Sequence, residues 1–283
     1  MKGDDAQQEY FRQLQLRARD GESSFEDWNP LLTRQPTKLK DIKHFENAAV
    51  KLSFGNEKVA KDNYTNLQNN NQPIIQIDAQ HNNNQAKHLP ADDMGGLQPT
   101  LYLAKDARVM LTRNLWTDVG LCNGSMGTLL HVIYVEGQSP PSLPIAIIVQ
   151  FDDKDYLGPS FIEHIPNCVP IYPVTNHSGS YGSKCERQQY PLKLAWSMKI
   201  HKAQGLTLKN VWVDLGTSEK AAGMTYVALS RVRKISDLII EPMTFERLKA
   251  VKKNSNYKYR KLEEIRLHQL AKKTLQIHNA KQF

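Results

Sequence analysis

Three short runs rich in β-branched residues stand in the middle of this chain. They are "ARVMLTRNL" (107–115), "GTLLHVIYV" (127–135) and "IAIIVQF" (145–151). Runs of this length, broken by turn residues, pair with one another in a small barrel or sandwich. Asn123-Gly124 is a hairpin-type pair, "VEGQSPPSLP" is a Pro-rich loop, and "NHSGSYGSKC" (176–185) reads as a further loop. On either side the texture is α/β. "VKLSF" (50–54) alternates, Gly55-Asn56 turns, "EKVAKDNYTNL" has helical spacing, and "PIIQIDAQ" (73–80) is a second strand. The polar "QHNNNQAKHLPADDMGGLQP" has no periodicity and reads as a linker or exposed loop. After Pro191, "LKLAWSMKIHKAQG" is a strand or helix broken at Gly205. "NVWVDLG" (210–216) is a strand, "EKAAGMTYVALSRVR" (219–233) a helix and "SDLIIEP" (236–242) a strand. One α/β domain interrupted by a β-module accounts for this order, because inserted domains have nearby termini.

The two ends are helical. Phe11, Leu14 and Leu16 fall at loose helical spacing, Gly21 is a stop signal, and "SFEDWNPLLTR" reads as a second helix with a Ser24/Asp27 capping box. These first forty residues carry apolar side chains without partners nearby in sequence, so loosely packed helices are expected. "TFERLKAVKKNSNYKYRKLEEIRLHQLAKKTLQ" is a basic helical tail.

Charge is unevenly spread. Ser183–Phe283 holds 21 Lys/Arg against 8 Asp/Glu within a total of +8, so the remainder is mildly acidic. Such a block suits a polyanion, nucleic acid above all, although a Lys-rich solvated surface has the same composition. Cys122, Cys168 and Cys185 form no CxxC pair, which gives no zinc signature and suggests free thiols in a reducing compartment, nucleus or cytoplasm. No run is long enough to span a bilayer, and "MKGDDAQQEYFRQ" has no secretory h-region.

The segment "MKIHKAQGLTLKNVWVDLG" (198–216) crowds His, Lys and Gln before an apolar strand. A polar helix end closed by Gly205 would produce the same letters. Together with the residues around it, however, "LKLAWSMKIHKAQGLTLKNVWVDLG" resembles motif V of the PIF/RecD-like superfamily 1 DNA helicases, and "TYVALSRVR" (225–233) resembles their motif VI. "LSFGNEKVAKDN" (52–63) is similar to motif IV. "LYLAKDARVMLTRNLWTDVGLCNGSMGTL" (101–129) is similar to the start of the SH3-like barrel these helicases insert into their second RecA-like domain. "YFRQLQLRARDGESSFEDWNPLLTR" resembles the end of the first RecA-like domain in Helitron-type members.

The resemblance implies an α/β fold: a second RecA-like domain at 43–96 and 190–250, interrupted by an SH3-like barrel at 100–189. Residues 1–42 would be a helical remnant of the first RecA-like domain and 251–283 a basic helical tail. Arg231 matches the arginine finger, a role that suits a permanently charged, rigid donor fork. Gln204 and Gly205 match positions coupling the ATP cleft to the DNA groove. His201 and Lys202 match positions close to DNA phosphates. Asn56 matches the motif IV Asn that meets single-stranded DNA, and it would serve equally as a helix N-cap. Lys199 stands where the family usually has Thr and Ala203 where it usually has Ser; Lys199 would add a cruder phosphate contact. Motif VI often begins Gly-Gln and here begins Gly223-Met224.

No GxxxxGK[ST] loop occurs in the chain, and neither "FEDW" nor "ADDM" follows an apolar strand as a Walker B would. The expectation is therefore the C-terminal part of an ATP-dependent 5′-to-3′ DNA helicase, whose complete form uses ATP and Mg²⁺ and whose missing half carries the Walker motifs. This chain alone would bind neither. The alternative is a stand-alone, non-catalytic nucleic-acid-binding module or transposon relic. In either case the partner is single-stranded DNA.

Overall fold

The computed structural model describes residues 6–40, 42–152, 156–178, 185–216 and 223–280. They divide into two units, one built from Met1–Phe54 with Ile200–Phe283 and the other from Gly55–Lys199.

In the first unit the strands Val50–Ser53, Val211–Asp214 and Leu238–Glu241 run parallel, with Val211–Asp214 in the centre. Leu52 opposes Val213, and Val213 opposes Ile240. Leu52, Val211, Val213, Leu238, Ile239 and Ile240 are fully buried, as expected of a parallel sheet covered on both faces. The N-terminal helix Ala6–Asp20 presents Phe11, Leu14, Gln15 and Ala18 inward, one stripe of a 3.6-residue repeat. It packs against the helix Met224–Leu229, and Gln15 Nε2 donates to the Leu229 carbonyl at 2.9 Å.

Loose packing of the first forty residues is thus corrected: the stripe finds its partner some two hundred residues later. The helix Phe25–Leu32 opens with the expected capping box between Ser24 and Asp27. Asp27 is buried and takes a two-point ion pair from Arg17. Burial works against its ionisation. The Arg17 fork and the Ser24 amide outweigh that and hold the carboxyl below its ordinary value.

The C-terminal helix Tyr257–Ala280 is fastened near its start. Tyr257 Oη donates to the Asp20 carbonyl at 3.0 Å, Arg260 Nη2 meets the Asp20 carboxylate at 2.8 Å, and Lys261 Nζ lies 3.3 Å from it. From Arg266 to His278 every residue is exposed.

The second unit is organised around a five-stranded antiparallel sheet. Its order is Leu192–Leu194, Arg108–Leu111, Met126–Ile133, Ala146–Phe151, Cys168–Ile171. Val109, Leu111, Leu129, Ile147 and Val149 fill its core with Tyr190, whose hydroxyl donates to Pro144 O at 2.8 Å. The three β-branched runs form the three central strands. Asn123-Gly124 does not make a two-residue hairpin. It ends a longer connection that contains a 3₁₀ turn at Thr117–Val119. There the Asn114 side chain accepts from Asn123 N at 2.8 Å, and Gly124 N donates to Leu111 O at 2.9 Å.

Two loop readings need correction. In the segment after His81, Asn83 caps a helix Asn84–His88, a 3₁₀ turn follows at Asp92–Met94, and Ala86, Leu89, Met94 and Leu97 are buried. Its organiser is Arg187, 0% exposed, on the strand Cys185–Gln189. Arg187 donates to the carbonyls of Leu97 (2.8 Å), Ala86 (2.8 Å) and Leu89 (2.7 Å). Ala86 and Leu89 lie at the end of the short helix, where carbonyls have no intrahelical donor. The second correction concerns "NHSGSYGSKC", which begins within a strand Val174–Ser178 and ends at the start of Cys185–Gln189. Residues 179–184 lie outside the described residues.

Candidate phosphate and nucleic-acid interface

A 3₁₀ helix, Ile200–Ala203, leads into the turn before the central strand. Three residues per turn put Ile200 and Ala203 on one side, and both are fully buried. His201 and Lys202 are thereby forced outward and are exposed, as are Gln204 and Gly205. Gly205 has φ +87°, a left-handed conformation that costs any residue with a Cβ. Two backbone bonds close the turn, Gln204 N to His201 O at 3.3 Å and Leu206 N to Ala203 O at 3.0 Å.

Arg231 follows the helix Met224–Leu229 by two residues, half-buried over this turn. Its Nε donates to Val227 O at 2.7 Å, Nη1 to Ala203 O at 2.9 Å and Leu206 O at 3.0 Å, and Nη2 to Ser230 Oγ at 2.7 Å. In return Leu208 N donates to Arg231 O at 2.8 Å. Burial pulls the Arg231 pKa down from its ordinary value, with Tyr226 opposing. A guanidinium nonetheless stays charged. The arrangement places a cation, a left-handed glycine turn and an outward His-Lys pair within one unit.

The remaining candidates lie in the other unit. Asn56 is the first residue of the helix Asn56–Asn69 and is exposed. The N-cap is Gly55, so Asn56 is not the simple cap its sequence position allowed. Lys199 ends the short strand Ser197–Lys199 and is half-buried. A residue not singled out from sequence, Asn63, anchors that strand from the same helix. Its Nδ2 donates to Ser197 O and its Oδ1 accepts from Ser197 N, both at 2.9 Å. An amide in the middle of an otherwise ordinary helix face was its only signal. Ser230, which receives an Arg231 hydrogen bond, was likewise not marked. Among the described residues no group of three or more His, Cys, Asp or Glu is placed to hold a metal ion, and no helix is long and apolar enough to cross a membrane.

No family model matches the chain. Solved structures show the fold. The Pif1 helicase of Candida albicans superposes with TM-score 0.61 at 21% identity, covering 85% of this chain and 55% of that one. A Bacteroides Pif1 helicase in complex with ADP-AlF3 and ssDNA superposes with TM-score 0.63 at 18% identity, covering 94% and 55%. The fold is a RecA-like helicase fold.

Sequence relatives sharpen this. Human ATP-dependent DNA helicase PIF1 is 35% identical over 138 residues, 49% of this chain and 19% of the relative. Trypanosoma brucei ATP-dependent DNA helicase PIF7 is 34% identical over 193 residues, 62% of this chain and 19% of the relative. The chain is a relative of the PIF1-like superfamily 1 helicases. It spans about a fifth of the length of these curated relatives and about half that of the solved structures.

Proposed function

We propose that the chain supplies the arginine finger and part of the single-stranded DNA contact surface of an ATP-dependent 5′-to-3′ DNA helicase. In this reading it works with a domain that carries the phosphate-binding loop, which this sequence does not contain. The observation that carries it is the seating of Arg231 against the His201–Leu206 turn, which ties a half-buried guanidinium to an outward basic pair. ATP with Mg²⁺ would be held chiefly by the other domain. Arg231 would meet the charge that develops on the transferred phosphoryl group. Lys202, His201 and Lys199 would meet DNA phosphates, Asn56 a nucleotide of the single strand, and Gln204-Gly205 would carry changes between the two. The relatives' names and the DNA-bound neighbour support this assignment. The five-stranded antiparallel sheet is read as the SH3-like barrel inserted at about 100–189 into a second RecA-like domain of 43–96 and 190–250. In that scheme 1–42 derives from the end of the first RecA-like domain and 251–283 is an appended basic helix.

The test is single-strand DNA binding of the purified chain over a salt series, run beside an ATPase assay. The expected result is binding that weakens steeply with salt, because phosphate contacts release counterions, with no ATP turnover by the chain alone. Adding the Walker-bearing domain should give turnover that Arg231→Ala abolishes. Salt-insensitive or absent DNA binding would overturn the DNA assignment, and turnover indifferent to Arg231→Ala would overturn the finger.

A further inference from the structure

Arg231 is spent on its own chain. A guanidinium has five N–H donors, and four are engaged: one by Val227 O, two by Ala203 O and Leu206 O, one by Ser230 Oγ. The two Nη1 acceptors bracket Gln204-Gly205, where Gly205 takes a left-handed conformation. A two-point grip on a phosphate needs two parallel N–H groups, and among the described residues only one is unspent. Taking a phosphate therefore means giving up at least one carbonyl.

We infer that Arg231 is the positioning residue of the basic turn. While no phosphate engages it, its Nη1 bonds hold the turn that sets His201 and Lys202 outward. A phosphate that takes the Nη1–Nη2 edge withdraws that hold, so turn rigidity and this phosphate engagement are alternatives for one side chain. This rests on the reading, proposed above, that the turn faces DNA. It adds that Arg231 governs DNA affinity with no nucleotide present. By linkage, DNA that prefers the ordered turn opposes withdrawal of Arg231 by the same factor.

The experiment uses the full chain without nucleotide and a fluorescent oligo-dT probe, read by anisotropy over a salt series. Arg231→Ala should weaken binding about 5-fold or more. Lys202→Ala should reduce the salt slope by about 0.7, one single-strand phosphate contact. In the double variant the Arg231→Ala loss should largely vanish, because it acts through the turn that presents Lys202. Arg231→Lys keeps the charge but not the fork, and should bind like Arg231→Ala; it also serves if the alanine variant misfolds. Losses that simply add, or an Arg231→Lys variant that binds like the parent, would overturn the inference. If Lys202→Ala and His201→Ala leave binding untouched, the DNA assignment of the turn fails instead. Hydrogen exchange at the Gln204, Leu206 and Leu208 amides then decides the positioning role: faster exchange in Arg231→Lys supports it, and unchanged exchange refutes it.

Discussion

Replacing Arg187 by Met tests whether one buried cation organises the whole Asn83–Leu97 segment. The arginine is 0% exposed and has no carboxylate partner among the described residues; burial lowers its pKa. Its guanidinium serves three backbone carbonyls, and its Nε has no acceptor among the described residues. Hydrogen bonds to a charged group contribute about 1.5–3 kcal/mol each, so three amount to roughly 4–9 kcal/mol. Met fills much of the same volume and removes the several kcal/mol spent on burying a cation, along with the unsatisfied Nε. The net cost should be about 3 kcal/mol, because three carbonyls remain in a dry interior without donors. The assay is urea unfolding followed by circular dichroism, with hydrogen exchange at Ala86 and Leu97 to localise the effect. With a slope of about 2–3 kcal/mol/M, the midpoint should fall by roughly 1 M. Arg187→Lys should fall between, since one ammonium cannot reach three spread carbonyls. A midpoint within 0.3 M of the parent (about 1 kcal/mol on that slope) and unchanged protection at Ala86 would refute the reasoning.

Three further outcomes are expected. Gly205→Ala places a Cβ on a left-handed residue with open space around it, so conformational strain alone should cost about 1–2 kcal/mol, measurable as a lowered thermal midpoint of the unit built from Met1–Phe54 and Ile200–Phe283. His81 has its pKa lowered by burial first, then by Arg187 and Lys87, with Asp78 opposing. The unfolded chain therefore takes up the proton before the folded one. Stability should be flat at higher pH and fall as pH drops below about 6.5, and His81→Gln should flatten that part of the profile. Asp20→Ala removes the carboxylate that fastens Arg260 and Lys261, so limited proteolysis should cut within Tyr257–Ala280 sooner while the sheet stays intact. Unchanged cleavage would mean that Tyr257 and the Arg19 carbonyl suffice as anchors.

The legible parts of this fold are those whose reasons are local. Ser24 and Asp27 are three residues apart, so their reciprocal cap is written in the chain. The strand runs 107–115, 127–135 and 145–151 carry their own β-branched composition. Val211–Asp214 reads as a buried strand without help from elsewhere. The 84–97 segment was not legible because each of its apolar residues stands alone among polar ones. What orders them is a guanidinium about a hundred residues later. Asn63 and Ser197 have the same character: each looks ordinary until the other is beside it. At the candidate site, motif order marked Arg231 and the His201–Gly205 run. That Arg231's donors are turned onto the turn's carbonyls depends on φ at Gly205 and on where the Met224–Leu229 helix ends, which letters do not encode.

The bond between Gln15 and the Leu229 carbonyl spans 214 residues. At about 5–20 residues per second, a ribosome takes roughly 10–40 s to deliver the second partner after the first. For that interval Phe11, Leu14 and Ala18 lack the Met224–Leu229 helix that packs on theirs. Meanwhile the Gly55–Lys199 unit emerges whole, with every strand of its five-stranded sheet already synthesised. The helix Ala6–Asp20 is thus among the last elements of its unit to find its place, and its apolar stripe waits while the whole Gly55–Lys199 unit is made. A holdase chaperone present during translation should raise the yield of folded chain, and it should do so through the helix Ala6–Asp20.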